Sequence, residues 1–387
     1  MKSKYQILSA VMLLLAGKLS AAEDVRLLIP EKIYAVPGVE SNVYFNNVVT
    51  VINPANYVFD VDCQKGRNEQ KRWHFTPKKS DVGTWKWKIK VINETGIVAE
   101  GNSELVVLPP EAGENRKISM LIIGASYIRH GYIPFRVVEQ MKKPGNPDFH
   151  TIGTRSMGDA KFEGYGGWRW KSFLTNWGVT GNPKNDGMHP NRPVIMNSPF
   201  LFADESGKGV FDLKQYFQRN NEGRNPDAVS FQLGINDILL ATDDKLAERT
   251  EESIRGMEEL IAEFRKLQPA PEIFVCTGVP GSNQDGFGAN YGCGQTSWQF
   301  RKNLDFYIRT LQKKSKDLHF RLVPMFINLD TENNFPVKEG PVNEGNPQNM
   351  GRQNNAIHPT RYGYYQMGDT LYCELKAWLA ESRLTEK

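Results

Sequence analysis

Residues 118–126 read Ile-Ser-Met-Leu-Ile-Ile-Gly-Ala-Ser, a short apolar run that ends in three small residues. Such a run is typical of a strand buried on both faces, as in a parallel sheet covered by two layers of helices. Four later stretches have the same form, namely residues 149–153, 228–233, 272–277 and 320–326. Because helical patterns lie between these stretches, the sequence predicts a three-layer α/β/α domain with a mostly parallel sheet.

The clearest helical pattern covers residues 244–267. Its apolar residues recur at helical spacing: Leu246, Ile254, Met257, Leu260, Ile261 and Phe264. Pro269 follows this stretch, as expected just beyond the end of a helix. A second pattern, residues 364–379, predicts a helix near the C-terminus.

Residues 23–110 differ in character from the rest of the chain. Short β-branched and aromatic runs are separated by Gly, Pro and Asn, and residues 84–91 (TWKWKIKV) alternate bulky with basic side chains. This pattern is typical of half-exposed antiparallel strands and predicts a small β-sandwich domain. Two prolines and the polar residues 111–117 then predict a linker, so the α/β/α domain would span residues 118–387.

The first 22 residues have the features of a signal peptide. Lys2 and Lys4 precede an apolar run at residues 7–16, and Ser20-Ala21-Ala22 supplies small residues for cleavage. The apolar run is too short to span a bilayer, so we expect export to the periplasm or the medium of a bacterium, without stable membrane insertion after cleavage. The alternative is an uncleaved N-terminal anchor.

Composition narrows the classes of partner and cofactor. The formal net charge is only +4, and Lys and Arg are scattered along the chain, which argues against nucleic acid as a partner. The four cysteines show neither CxxC nor Cys/His spacing, which argues against a zinc site. We expect neither a metal nor an organic cofactor. Cys276 and Cys293 could form a disulfide bridge, or Cys276 could be a buried thiol.

Three polar loops follow predicted strands or precede the last helix. Residues 124–126 follow the first strand, residues 234–237 (GIND) follow the third, and residues 355–359 (NAIHP) precede the C-terminal helix. In open parallel α/β sheets, ligands bind at the carboxyl ends of the strands. We therefore expect these loops to converge on one edge of the sheet.

These blocks resemble those of the SGNH (GDSL-type) hydrolases, a family of flavodoxin-like α/β/α esterases and lipases. The resemblance covers about residues 117–385, includes residues 163–168 (EGYGGW) as the second block, and keeps the family's order. It implies four roles: Ser126 as the nucleophile, Gly167 and Asn236 as oxyanion-hole donors, and His358 as the base.

The residue types also suit this chemistry without the family. A serine hydroxyl needs an adjacent base, and imidazole titrates near the working pH. A tetrahedral oxyanion needs fixed donors, which a backbone N–H at a glycine-rich turn and a side-chain amide can supply. Gly167 suits the first of these roles because a residue without Cβ lets its N–H approach the substrate closely.

Two positions depart from the family pattern. Ala125 and Asn355 stand where the family usually has aspartates, one beside the nucleophile and one three residues before His358. An amide cannot stabilise imidazolium by charge, although its oxygen can accept from Nδ1–H and orient the ring. Three hypotheses follow: a Ser-His dyad oriented by Asn355 or by a backbone carbonyl, a carboxylate from elsewhere such as Asp330 or Glu339, or an impaired protein that only binds its ligand.

Further residues are candidates for substrate contact, with alternatives. Trp168 could form a wall for a sugar ring, or it could pack the following helix against the sheet. Tyr291 lies in the long glycine-rich loop at residues 281–294, which could be functional or a simple surface excursion. Asp237 closes the GIND block and is a third candidate. We expect His130 to be solvated or to cap a helix.

Together these features predict a secreted serine esterase that removes acetyl groups from a polysaccharide or oligosaccharide. The form of the second block resembles that of members acting on acetylated xylan or pectin, and the exported layout with a β-domain fits glycan breakdown. One alternative is a lipid esterase or lysophospholipase, which would have an apolar acyl groove. The other is a glycan-binding protein on a decayed esterase scaffold.

Overall fold

The computed structural model describes residues 25–178, 180–181, 194–287 and 295–385. The predicted signal peptide at residues 1–22, Tyr291 and Cys293 lie outside the described residues. Within the described ranges, no helix combines the length and the apolar character needed to cross a bilayer.

Short strands make up the N-terminal region, residues 25–110. Its strands are β1 (Arg26–Leu27), β2 (Lys32–Ala35), β3 (Ser41–Tyr44), β4 (Val49–Thr50), β5 (Val58–Cys63), β6 (Arg67–Asn68), β7 (Arg72–Phe75), β8 (Gly83–Asn93) and β9 (Gly96–Val107). Short helical turns lie at α1 (Phe45–Val48), Pro54–Asn56 and Lys79–Asp81.

Two sheets face each other in this region. One has the strand order β2-β9-β8-β5 and the other β3-β7-β6, while β1 pairs with β4. As the alternation at residues 84–91 predicts, Trp87, Ile89 and Val91 are buried on β8 while the lysines between them face outward. Trp73 of the second sheet meets Trp87 edge to face, with ring centroids 6.2 Å apart, so the two sheets pack as in a small sandwich.

The rest of the chain alternates strands and helices. Its strands are β10 (Lys117–Gly124), β11 (Asp148–Ile152), β12 (Arg155–Met157), β13 (Ala160–Gly164), β14 (Thr180–Gly181), β15 (Val194–Ile195), β16 (Leu201–Ala203), β17 (Gly209–Phe211), β18 (Ala228–Gln232), β19 (Glu272–Cys276), β20 (Arg321–Val323), β21 (Val337–Asn343) and β22 (Asn346–Gln353). Its helices are α2 (Ser126–Arg129), α3 (Tyr132–Met141), α4 (Ser172–Thr175), α5 (Leu213–Asn220), α6 (Ile235–Ile238), α7 (Leu246–Arg265), α8 (Ser297–Asp317) and α9 (Arg361–Thr385), with 3₁₀ turns at Gln284–Gly286 and Met325–Asn328.

A seven-stranded sheet lies at the centre of this α/β part. Its order is β12-β13-β10-β18-β19-β20, and β11 also pairs with β10. All of these pairings are parallel except the one between β12 and β13. Counting β11 and β13 as one position, the order is that of flavodoxin-like folds, whose ligands bind where the direction of winding reverses. Here that switch point lies between the carboxyl ends of β10 and β18.

Strand β10 is apolar apart from Lys117 and Ser119, because both of its faces are covered. Ile118, Met120 and Ile122 belong to one core, shared with α3 and α9, whereas Leu121 and Ile123 belong to a second core, shared with α5 and α7. The predicted three-layer α/β/α architecture is confirmed.

The N-terminal region shares the first of these two cores with the α/β part. Polar contacts also join the two parts: Asn42 and Asn328 are hydrogen-bonded through their side chains, and Asn47 Nδ2 donates to the carbonyls of Phe326 and Leu329. The segment predicted as a linker is held as well, because the fully buried Lys376 of α9 donates to the carbonyls of Pro110, Ala112 and Gly145.

Two details of the sequence prediction need correction. The strand predicted at residues 320–326 ends at Val323, because Pro324 has no N–H to continue the ladder, and a 3₁₀ turn follows. Cys276 is a free, buried thiol, which contradicts the bridge to Cys293.

Candidate active site

Ser126 begins α2 directly after β10, at the carboxyl edge of the sheet. The strand end is fixed on both sides, because Ala125 N donates to Gln232 O of β18 at 3.2 Å and Tyr165 N donates to Gly124 O at 3.0 Å. A side chain at Gly124 would collide with Ile128 and with the Gln232 carbonyl. The small residues before Ser126 therefore permit the sharp turn from strand to helix.

The glycine pair after β13 forms a tight turn beside this point. Trp168 N donates to Tyr165 O at 3.3 Å, and the two rings stack with centroids 4.2 Å apart. Gly167 is exposed at the turn with a φ of 78°, a conformation that favours glycine. Since β13 pairs with β10 at Gly124, this turn lies next to the strand that leads to Ser126.

Glu163, at the base of this turn, is fully buried. Its carboxylate accepts from Thr154 N at 2.7 Å and from three hydroxyls, those of Thr154 and Tyr165 at 2.8 Å and that of Tyr216 at 2.7 Å. Burial raises the pKa of Glu163, while these hydrogen bonds act in the opposite direction. The network fixes Tyr165 and hence the turn that carries Gly167.

Asn236 lies across the switch point, in α6 after β18. Gly234 precedes α6 with a φ of 98°, and a side chain there would collide with the Tyr307 ring. Asn236 Nδ2 donates to Trp168 O at 2.8 Å, which ties this loop to the glycine turn. An amide nitrogen carries two N–H groups, so one is left for a substrate oxygen.

His358 lies in the loop before α9 and contacts α2, the helix that begins at Ser126. Its ring meets that of Tyr127 edge to face at 5.8 Å, and Tyr127 Oη donates to Ile357 O at 3.1 Å. Since Tyr127 directly follows Ser126, these contacts pack the loop of His358 against α2. Burial, aided by the charges of His130 and Arg129, lowers the pKa of His358 to about 4. At neutral pH the ring is therefore uncharged and able to accept a proton.

Asn355 acts on the main chain of this loop. Its Oδ1 accepts from Ile357 N at 3.0 Å and from His358 N at 2.9 Å. The predicted contact between this oxygen and the imidazole is thus replaced by a local turn, in which the side chain fixes the backbone that carries the ring.

Two carboxylates, Asp330 and Glu339, are the alternatives to Asn355 for orienting the His358 ring. Asp330 closes its own turn, where Oδ1 accepts from the N–H groups of Glu332 and Asn333. Glu339 is exposed on β21. Which group orients the His358 ring stays a prediction.

A family model described as "GDSL-like Lipase/Acylhydrolase" matches residues 144–371, more than half of the chain. The chain belongs to this family. This GDSL-like hydrolase is accordingly a serine hydrolase that acts on ester bonds. The matched segment contains Gly167, Asn236 and His358 and begins after Ser126.

Solved structures similar to the hydrolase include three bacterial esterases. A family 3 carbohydrate esterase from Clostridium thermocellum is 15% identical with a TM-score of 0.38, and the match covers 68% of this chain and 100% of that chain. A carbohydrate acetylesterase family member from Sinorhizobium meliloti is 12% identical with a TM-score of 0.39, over 68% of this chain and 99% of that chain. A catalytic mutant of an acetylxylan esterase from Geobacillus stearothermophilus is 13% identical with a TM-score of 0.36, over 67% of this chain and 95% of that chain. No protein with a curated description matches the hydrolase.

His130 of the hydrolase was not expected at the site. It was predicted to be solvated or capping, but its half-buried ring faces that of His358 with centroids 5.7 Å apart and also contacts Tyr364. Burial, and then the charge of Arg129, lowers the pKa of His130 to about 4. The sequence offers one indication of this position. His130 lies four residues after Ser126, and residues four apart share one face of a helix.

The three candidate substrate contacts of the hydrolase have different outcomes. Trp168 is 5% exposed and packs against Tyr165 and Phe173, so the packing alternative is confirmed and its ring offers no wall to a sugar. Burial raises the pKa of Asp237 to about 7, and the charge of Asp237 helps to raise the pKa of the buried Tyr307. That carboxyl group lies on the core side of α6, and its substrate contact stays a prediction. Tyr291 lies outside the described residues.

Proposed function

We propose that this hydrolase is an exported carbohydrate esterase that removes acetyl groups from a polysaccharide or oligosaccharide. One observation carries the proposal: hydrogen bonds join the candidate loops in pairs around the switch point. Asn236 Nδ2 is bonded to Trp168 O, and Tyr127 Oη to Ile357 O. The side chain after β18 thus meets the turn after β13, and the residue after Ser126 meets the loop of His358.

In the proposed mechanism, Ser126 Oγ attacks the acetyl carbonyl carbon while His358 takes the hydroxyl proton. The oxyanion accepts hydrogen bonds from the N–H groups of Ser126 and Gly167 and from Asn236 Nδ2. His358 then gives its proton to the departing sugar oxygen, which leaves an acetyl ester on Ser126. Water, deprotonated by His358, attacks this ester, and acetate leaves as the serine hydroxyl is restored.

The acetyl-sugar substrate and the export are the finer parts of the proposal. They are supported by the EGYGGW form of the second block and by the signal-like residues 1–22. A lipid esterase on the same site would prefer long acyl chains. A protein that only binds glycan would hydrolyse neither kind of ester, and Ser126→Ala would leave its function intact.

Hydrolysis of 4-nitrophenyl esters tests the proposal. We expect the purified protein to cleave the acetate faster than the octanoate, and to release acetate from acetylated xylan or pectin. Ser126→Ala should abolish both activities, while Ser156→Ala, a control at an exposed serine on β12, should retain them. A preference for octanoate would favour the lipid esterase, and no hydrolysis by the unmodified protein would refute catalysis.

A further inference from the structure

A second candidate site lies in a groove between the N-terminal region and the α/β part. The groove has a volume of about 860 Å³, and the residues that line it include none of those placed in the catalytic mechanism. On one side lies β2, the edge strand of its sheet, and on the other lies β20, the edge strand of the central sheet. Two sheet edges therefore face one groove without pairing to each other.

A buried carboxyl group, that of Glu374 on α9, lines this groove. Glu374 is 6% exposed, and its carboxyl group has no hydrogen-bond partner among the described residues. Burial raises its pKa to about 8, although the Arg321 charge acts in the opposite direction. Because this group lines the groove, a ligand bound there can hydrogen-bond to it. At neutral pH the protonated group can donate to a ligand oxygen.

The lining of the groove contains five basic and three acidic side chains. Its basic residues are Lys32, Arg309, Lys313, Lys316 and Arg321. Three of these are ion-paired: Arg309 with Asp305 at 3.0 Å, Lys316 with Glu31 at 2.9 Å, and Arg321 with both Glu272 at 2.8 Å and Glu381 at 2.6 Å. Lys32 and Lys313 are exposed and form no ion pair within the described part of the chain. The groove therefore favours an anion.

We propose that this groove binds an acidic oligosaccharide, a glycan with uronic acid units, apart from the catalytic centre. Lys32 and Lys313 face the uronate carboxylates, Glu374 donates to a sugar oxygen, and the half-buried Tyr34 ring offers an apolar face to a sugar. The choice of a saccharide over other anions rests on the proposed function. Such a groove would hold an acidic polymer on the enzyme while its esters are cleaved.

Calorimetric titration of the Ser126→Ala protein tests this proposal, because that variant leaves the ligand intact. We expect tetragalacturonate to bind, xylotetraose to bind at least about tenfold more weakly, and sodium phosphate at equal ionic strength not to displace the bound ligand. Lys32→Ala with Lys313→Ala should weaken binding about tenfold, whereas the control pair Lys86→Ala with Lys214→Ala, equal in charge and outside the groove, should not. Failure of tetragalacturonate to bind, displacement by phosphate, or equal loss in the control pair would overturn the proposal.

The pH dependence of binding separates Glu374 from the lysines. The groups that face Glu374 are Arg321, Glu381, Tyr34, Cys276 and Cys373. Ionisation of Glu374 should weaken binding several-fold between about pH 6.5 and pH 9, because the carboxylate loses its donor proton and repels an anionic ligand. The lysines stay charged over that range, so they do not contribute to the change. Glu374→Gln should keep the affinity at the lower pH and remove this dependence. An unchanged dependence in Glu374→Gln would contradict the role of Glu374.

Ester hydrolysis by the lysine variants distinguishes the two proposals. On the Ser126→Ala background the lysine variants report only binding, and on the natural background they should cleave 4-nitrophenyl acetate at the unmodified rate. Hydrolysis without groove binding would overturn the groove alone. Binding without hydrolysis would overturn the proposed catalytic function alone.

Discussion

At the scale of single residues, Asn355 exerts its effect on His358 through the backbone. Its side-chain oxygen is occupied by two N–H groups of its own loop, so it cannot also accept from the imidazole in this arrangement. The pKa of His358 is lowered first by burial, then by the neighbouring His130 and by the Arg129 charge. All of them favour the neutral ring, which suits a general base and disfavours the imidazolium formed after proton transfer.

The first prediction concerns the pH profile of kcat/KM. Because the pKa of His358 is about 4, the ring should stay neutral, and activity should persist, from neutral pH down to about pH 5. Activity should fall as the ring becomes protonated near its pKa. His130→Asn removes a neighbouring charge that lowers this pKa, so the fall should move to higher pH.

A control and a fold check accompany this profile. His319→Asn, at an exposed position with a φ of 47° that asparagine tolerates, should leave the profile unchanged. Circular dichroism at each pH separates loss of the base from acid unfolding. Activity that already falls near pH 6.5 in the unmodified protein would contradict the assigned burial of His358.

At the scale of elements, the turn after β13 and helix α6 act as one unit. Asn236 links them through Trp168 O, and Glu163 fixes the turn from below. We predict that Asn236→Ala lowers kcat for 4-nitrophenyl acetate by about 10²–10³-fold with little change in KM, because an oxyanion donor acts mainly in the transition state. Steady-state kinetics measure both constants.

Asn225→Ala provides the matched control for Asn236→Ala. Each change removes one hydrogen bond from a side-chain amide to a backbone carbonyl, at 2.9 Å to Gln268 O for Asn225 and at 2.8 Å to Trp168 O for Asn236. Asn225→Ala should leave kcat unchanged. A similar loss in both variants would mean that Asn236 supports only the fold.

Elements were predictable from the sequence where one physical pattern dominated. The mostly apolar run at residues 118–123 and the helical spacing at residues 244–267 identify β10 and α7, because burial on two faces leaves a continuous apolar run and burial of one stripe leaves a periodic pattern. The hairpin β21–β22 escaped prediction because its polar, Asn- and Gly-rich sequence has no alternation. Contacts between loops, such as His130 with His358, depend on tertiary packing that local spacing only suggests.

At the scale of the whole molecule, the strand-rich region and the α/β part share a core. The fully buried Lys376 stabilises the segment between them, because its amine donates to three backbone carbonyls. Residues 23–110 were predicted as a separate domain, and we propose that they unfold together with the rest because a shared core couples their stabilities.

Thermal unfolding tests this coupling. We predict a single transition that coincides in tryptophan fluorescence, which reports on Trp73 and Trp87 among others, and in far-ultraviolet circular dichroism, which reports on the helices. Lys376→Met should lower the free energy of unfolding by about 3 kcal/mol, because it leaves buried carbonyls without donors. An exposed control, Lys214→Met, should change it little. Two separated transitions would contradict the shared unit.

The central claim is that Ser126 is a nucleophile activated by His358 at the switch point of the sheet. Mass spectrometry after treatment with a fluorophosphonate tests it most directly, since such reagents phosphonylate an activated serine. The account predicts one adduct per chain, mapped to Ser126, lost in Ser126→Ala and strongly slowed in His358→Ala. An adduct on a different serine, or none in the unmodified folded protein, would contradict it.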